Sequence, residues 1–351
     1  MTVRQRSACV AALAPAIVGL QAFAESPRIS GPYSHDNLAV YLIHGPSDDV
    51  REYLTLDEGL TAGVVVVREK GARQGRDQAE VNSLEIENKS GKWLFLQAGD
   101  IVKGGKQDRT IMTDLTLPPG AAPTAIDAFC VERGRWTATS GLQFGRNTGL
   151  VSGVALKRAI QGEKNQARVW EEVARADAKA TDAARAGGHV MPATATTLSG
   201  TGTYNAIVEN PTLQGSRKQI VSALIGEIVE SRTATGIAVA INGQIVSADV
   251  YASASLFRKV SRKLLDSYAT EAVLARKGED AAKAPGREMV AAFLSGAADG
   301  ASKVESVGGS MHQRTVEGSA TVLYEYAYQG STQDGKAPSA TLIHRSYLKK
   351  L

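Results

Sequence analysis

Apolar and β-branched residues in the first part of the chain come in short runs: Leu38 to Ile43, Val64 to Arg68, Val81 to Glu87, Trp93 to Gln97, Thr110 to Leu117 and Ala125 to Glu132. Polar and turn-forming clusters such as Asn88-Lys89-Ser90-Gly91 and Pro118-Pro119-Gly120 separate them, at the spacing of antiparallel strands. No helix of the length a parallel crossover demands lies between these runs. The pattern therefore predicts an antiparallel β-sandwich or jelly-roll-like sheet in the N-terminal half.

From about Leu150 the apolar period becomes helical. Gln166 to Ala184 carries Val169, Trp170 and Val173 on one face with charges around the other, which predicts a surface helix with one packed stripe. Gly187 to Thr203 is rich in Ala, Gly and Thr and reads as a flexible stretch. Ser216 can cap a helix whose Ile220, Val221, Leu224, Ile225, Ile228 and Val229 form a core stripe. Asn242-Gly243 between Ile237–Ile241 and Gln244–Val250 predicts a β-hairpin, because both central residues of a type I′ turn need positive φ. Another helix spans Leu256 to Tyr268, a polar break follows at Arg276 to Arg287, and Met289 to Leu294 reads as a short helix. The tail returns to strands at Thr321 to Tyr328 and Ala340 to Tyr347. The class is α+β, with helices and a β-hairpin in the C-terminal half.

The start of the chain stands outside this fold. Arg4 and Arg6, an apolar Ala8 to Leu20 and then Ala22-Phe23-Ala24 have the order of a signal peptide cleaved after Ala24. The expected mature chain, residues 25–351, is one α+β domain in the periplasm or secreted, with no transmembrane segment once the leader is gone. Cleavage removes Cys9 and leaves Cys130, so no disulfide framework is available. With 40 Lys+Arg against 36 Asp+Glu in 351 residues, and no basic block interleaved with aromatics, nucleic acid is not an expected partner. Composition leaves the oligomeric state open.

Familiar chemical signatures are missing. The five histidines are scattered, no two at metal-ligand spacing, so no metal site is predicted, and neither a nucleophile elbow nor a dinucleotide fingerprint is present. No pattern names a cofactor. Two segments are nevertheless dense in polar chemistry. The first is Gly104-Gly105-Lys106-Gln107-Asp108-Arg109, where a double glycine lets backbone approach a ligand or bend tightly. The second is Cys130-Val131-Glu132-Arg133-Gly134-Arg135-Trp136, which closes a strand with a carboxylate, two guanidinium groups and an indole. Gly104, Gly105, Lys106, Gln107, Arg109, Glu132, Arg135 and Trp136 together could hold a small, planar anionic ligand. Glu132 is the best candidate for acid–base work. The same residue types also suit a structural ion-pair network with Trp136 in the core, and both readings stand. Cys130, in an apolar strand and without a neighbouring base, reads as a packed residue.

These two motifs, followed by Gly236 through Asn242-Gly243 to Asp249 and Tyr251, resemble the domain family named for its association with ADP-ribosylglycohydrolases and rhodanese-phosphatases. The likeness runs in order from about Tyr53 to the end. It implies a shared fold and no assigned reaction; the family name records company with nicotinamide and ADP-ribose chemistry. The leader and the Gly187–Thr203 stretch go beyond a minimal member, and export separates this chain from cytoplasmic nicotinamide pathways. The functional expectation is an exported binder of an anionic nucleotide-like or sugar-phosphate compound. The alternative is a non-enzymatic interaction or envelope-maintenance protein whose polar motifs are structural.

Overall fold

Two uninterrupted apolar runs from opposite ends of the sequence pair with each other. Strand β2 (Leu38–His44) lies antiparallel to β12 (Gly236–Ile241), with Val40 opposite Val239, and every residue of β12 is buried. Continuous burial on both faces explains why neither run alternates with polar residues. The computed structural model describes residues 27–71, 82–135, 143–145, 151–188, 197–276, 282–298, 300–308, 310–330 and 340–350.

The pair sits inside an eight-stranded antiparallel sheet. Its order is β1 (Arg28–His35), β2, β12, β13 (Gln244–Tyr251), β17 (Ala340–Lys349), β16 (Thr321–Gln329), β15 (Met311–Glu317) and β14 (Ala301–Gly308). The N-terminal hairpin is thus an integral part of the C-terminal sheet. The β12–β13 turn is the one the sequence predicts: Asn242 has φ 50° and Gly243 φ 74°. One face of the sheet packs on α5 (Pro211–Glu230) and α6 (Ala254–Leu274), joining Ile220, Leu224, Phe257 and Leu264 to Val40 and Ile237 in the main core. On the other face α7 (Arg287–Ser295) sets Val290 and Leu294 against Tyr41, Ala238 and Ala240.

Between β2 and the helices the chain builds antiparallel β structure closed into a barrel. Its strands run β10 (Thr124–Cys130), β5 (Ser83–Asn88), β4 (Val65–Glu69), β11 (Gln143–Gly145), β7 (Ile101–Gly104) and β8 (Arg109–Ile111), and β8 returns to β10. A small sheet, β3 (Tyr53–Thr55), β6 (Trp93–Leu96) and β9 (Leu115–Leu117), lies beside it. Here β3 and β6 are parallel, which the missing long helix seemed to exclude. Short helix α1 (Leu56–Thr61) together with β4 and β5 makes the crossover instead, and a capping box between Thr55 and Glu58 starts α1.

Several elements begin or end elsewhere than the apolar pattern predicts. Thr110–Leu117 is two strands, split where Asp114 turns inward to accept the Ala98 N–H (2.7 Å). Helix α5 begins at Pro211 behind an Asn210 cap rather than at Ser216, and Val229 is exposed outside its stripe. Helix α3 (Gln166–Ala186) agrees with the sequence, while α2 (Val154–Arg158), α4 (Asn205–Glu209) and the π-helical turn Ala159–Glu163 carry no periodic signal. Of the Gly187–Thr203 stretch, residues 189–196 lie outside the described residues, as do residues 1–26. Among the described residues no helix is long and apolar enough to cross a membrane.

Candidate functional site

The two polar motifs meet. Strand β7 ends at Gly104, β8 begins at Arg109, and β10 brings Glu132 beside the intervening turn. Asp108 donates its N–H to Glu132 Oε2 (3.1 Å), while its Oδ1 accepts the Gly104 N–H (3.0 Å) and Arg135 Nη2 (3.3 Å). Its Oδ2 accepts the Thr203 hydroxyl (2.8 Å) and the Asn205 amide (2.7 Å), and Gly134 N–H reaches Thr201 O (2.8 Å). Thr201 and Thr203 are thereby pinned to the motif.

Arg135 turns inward too. Nε and Nη2 hold Glu132 Oε2 at 2.9 and 2.6 Å, Nη1 reaches Gly105 O (2.9 Å) and Nη2 reaches Gly104 O (3.2 Å). Arg109, 1% exposed, instead faces a partner the sequence reading missed: its Nη2 lies 3.2 and 3.3 Å from the two Glu69 oxygens. Its Nη1 contacts Gln107 Oε1 (3.3 Å) and Cys130 Sγ. Lys106 offers its backbone N–H to Glu69 Oε1 (3.2 Å), and Gln107 reaches Arg133 O (3.5 Å). Burial works against the Glu132 carboxylate, yet hydrogen bonds from Arg135 and Asp108 N–H hold its pKa below the ordinary range. Burial raises the Cys130 thiol despite Arg109, which leaves it a poor nucleophile.

The glycines answer to packing here. A Cβ on Gly104 (φ 133°) would stand 2.8 Å from Gln143 O, and one on Gly105 (φ 52°) 2.4 Å from the Phe144 ring. Phe129, Cys130, Val131 and Glu132 are all buried. Trp136 lies outside the described residues.

A second polar system runs through the core. Tyr251, His344 and Tyr326 stand side by side on β13, β17 and β16, with the His344 ring stacked on Tyr251 at 4.3 Å. His344 Nδ1 meets Asp114 Oδ2 at 2.6 Å and Nε2 meets Asp249 Oδ1 at 3.1 Å. Tyr268 donates to Asp249 (2.5 Å), and the buried Lys157 ammonium lies 3.4 Å from it. Burial opposes the imidazolium, but Asp114 and Asp249 push the His344 pKa up to about 9. Enclosed on all sides, this chain of charges braces the fold. Among the described residues no group of three or more His, Cys, Asp or Glu is placed to hold a metal.

A cleft of about 740 Å³ opens beside that chain, between α2, α3, α6 and the β12–β13 hairpin. Leu156, Ile241, Val246 and Leu274 make apolar walls, and Arg158, Arg175, Lys179 and Lys349 also line it. Arg175 pairs with Glu172, and Lys349 reaches Gln244 Oε1 (2.7 Å). Glu271 of α6 also lines the cleft, with Oε1 accepting the Val154 N–H (2.7 Å) while buried Oε2 makes no hydrogen bond. Burial pushes the Glu271 pKa up to about 7, against the pull of Val154 N–H, Lys157 and Lys179. A volume of this order, with apolar walls between charged and polar groups, suits a small organic ligand. One signal for Glu271 was legible: three residues past Tyr268, it puts a carboxylate where the apolar stripe of the helix should continue. The cations escape notice because they are scattered over α2, α3 and β17.

Residues 26–348 match the ARG and Rhodanese-Phosphatase-superfamily-associated Protein domain, and the chain belongs to that family. Comparison with curated proteins and with solved structures finds no match.

Proposed function

We propose that this chain is an exported protein that binds a small anionic compound, nucleotide-like or a sugar phosphate, in the cleft bounded by α2, α3 and α6. The observation that carries the reading is the lining: four cationic side chains against two carboxyl groups, Glu172 and a Glu271 about half protonated at pH 7, beside apolar walls. Lys179 is exposed and has no ion pair among the described residues, so its charge attracts an anion toward the cleft. The apolar walls favour an organic anion carrying a ring over inorganic phosphate. Export rests on the basic, apolar and Ala-Phe-Ala order of residues 1–24.

On this reading the Gly104–Arg109 and Glu132–Arg135 cluster frames the barrel and is not the anion site, since its guanidinium groups already bind carboxylates and carbonyls of the chain. That inward pairing also favours the second reading, an interaction or envelope-maintenance protein with structural polar motifs. A thermal-shift screen of nucleoside monophosphates, sugar phosphates and their uncharged counterparts separates the two. Selective stabilisation by the anions of about 2–3 kcal/mol near 100-fold saturation, lost in Lys179→Glu, supports the cleft. Equal melting with every compound supports the second reading.

A further inference from the structure

Arg158 lines two cavities at once. Besides the apolar-walled cleft it borders a groove of about 650 Å³ between the Ala159–Glu163 turn and strands β14 to β16. Its Nη1 donates to Lys349 O (3.2 Å), and it forms no ion pair among the described residues. Lys349 lines the cleft and Lys350 the groove, so the chain end of β17 and Arg158 together form the divide.

The two compartments differ in chemistry. The groove walls include Gln161, Gln313, Thr315 and Tyr324. Gln161 Oε1 and Gln313 Oε1 are buried carbonyl oxygens with no hydrogen-bond partner, while Gln313 Nε2 is engaged by Thr315 Oγ1 (3.0 Å). Such acceptors suit hydroxyl donors. The groove cations are neutralised locally: Lys164 and Lys303 pair with Glu305, and Lys350 with Glu317. The groove thus favours a neutral hydroxylated group, the cleft a ring, and the divide between them an anion.

Resting on the cleft reading, we infer that the ligand is bipartite: a nucleoside diphosphate ester. Its ring lies in the cleft, its diphosphate crosses Arg158, and its hydroxylated group lies against Gln161 and Gln313. Arg158 is well suited to the crossing, because a guanidinium offers a planar fork of donors to neighbouring phosphate oxygens.

The test is isothermal titration of the mature chain with uridine monophosphate, glucose 1-phosphate and uridine diphosphate glucose, repeated in the adenosine series. The diphosphate sugar of at least one series is expected to bind ten-fold or more tightly than either of its parts. Gln313→Leu, checked for folding by circular dichroism, is expected to lower that advantage while leaving monophosphate affinity within three-fold, whereas Arg158→Ala is expected to weaken the monophosphate and the diphosphate sugar alike. Monophosphate binding in the native chain with no gain from the diphosphate sugar overturns this inference and leaves the cleft reading standing. Absence of binding by all the probes overturns both. The native-chain comparison decides the matter even if a variant fails to fold.

Discussion

Glu271 and Arg135 show how differently two buried or half-buried ionisable residues behave. The folded pKa of Glu271, about 7, lies above its ordinary 4.5, so its contribution to stability is fully present below pH 4.5 and is lost as pH rises through 7. A shift of that size corresponds to about 3 kcal/mol. Glu271→Gln is therefore expected to be more stable than the native chain by up to about 3 kcal/mol at pH 8 and nearly equal to it at pH 4.5. Urea melts at the two pH values check this, and equal differences at both would contradict it. Arg135 has the opposite role, since it neutralises Glu132 and Asp108 together. Removing it leaves two mostly buried carboxylates without that partner, and Arg135→Ala should lose stability near the lower end of about 3–5 kcal/mol. A loss under about 1 kcal/mol in denaturant melts would free Arg135 for a role outside the frame.

Elements with one dominant local signal were legible: the β12–β13 hairpin through Asn242-Gly243, α3 through its amphipathic stripe, and α6 through its apolar repeat. Elements defined by distant partners were not. Strand β14, with the sequence Ala-Ser-Lys-Val-Glu-Ser-Val-Gly, has mostly exposed side chains and is a strand because β15 pairs with it. The encounter of Gly104–Arg109 with Glu132–Arg135 could be anticipated from complementary charges, whereas Glu69 as the partner of Arg109 could not, because only barrel closure brings β4 there. The double glycine illustrates the same dependence. Ala at Gly105 would meet the Phe144 ring of β11 at a φ that disfavours any side chain, and Gly105→Ala should cost about 1–3 kcal/mol in equilibrium unfolding. Unchanged stability would show that β11 does not press on the turn. Across the large sheet, His344 links β17 to Asp114 before β9 and to Asp249 on β13. Its folded pKa of about 9 exceeds the ordinary 6.5, so its contribution is complete below pH 6.5 and fades toward pH 9. Ring-nitrogen chemical shifts of a cationic imidazolium at pH 7.5 are the expected signature. A neutral ring at that pH would contradict the doubly bonded arrangement.

In the whole molecule, the ends of the described chain converge on one sheet. The hairpin at residues 28–44 completes the surface on which α5 and α6 pack, and β17 near the C-terminus supplies Lys349 to the cleft. A leader ending at Ala24 stops just before β1, and intact mass spectrometry of the exported chain should find Glu25 as its first residue. A mass beginning at Met1 would remove the basis for periplasmic function. On the proposed reading the molecule keeps its ion-paired motifs inside and presents an anion site in the cleft beside α6. A crystal structure of the mature chain soaked with a nucleoside monophosphate tests this most directly. Ordered ligand density is expected against Leu156 and Leu274, with its phosphate within reach of Arg158 or Lys179. Ligand density at Arg109 and Arg135 with the cleft unoccupied would contradict it.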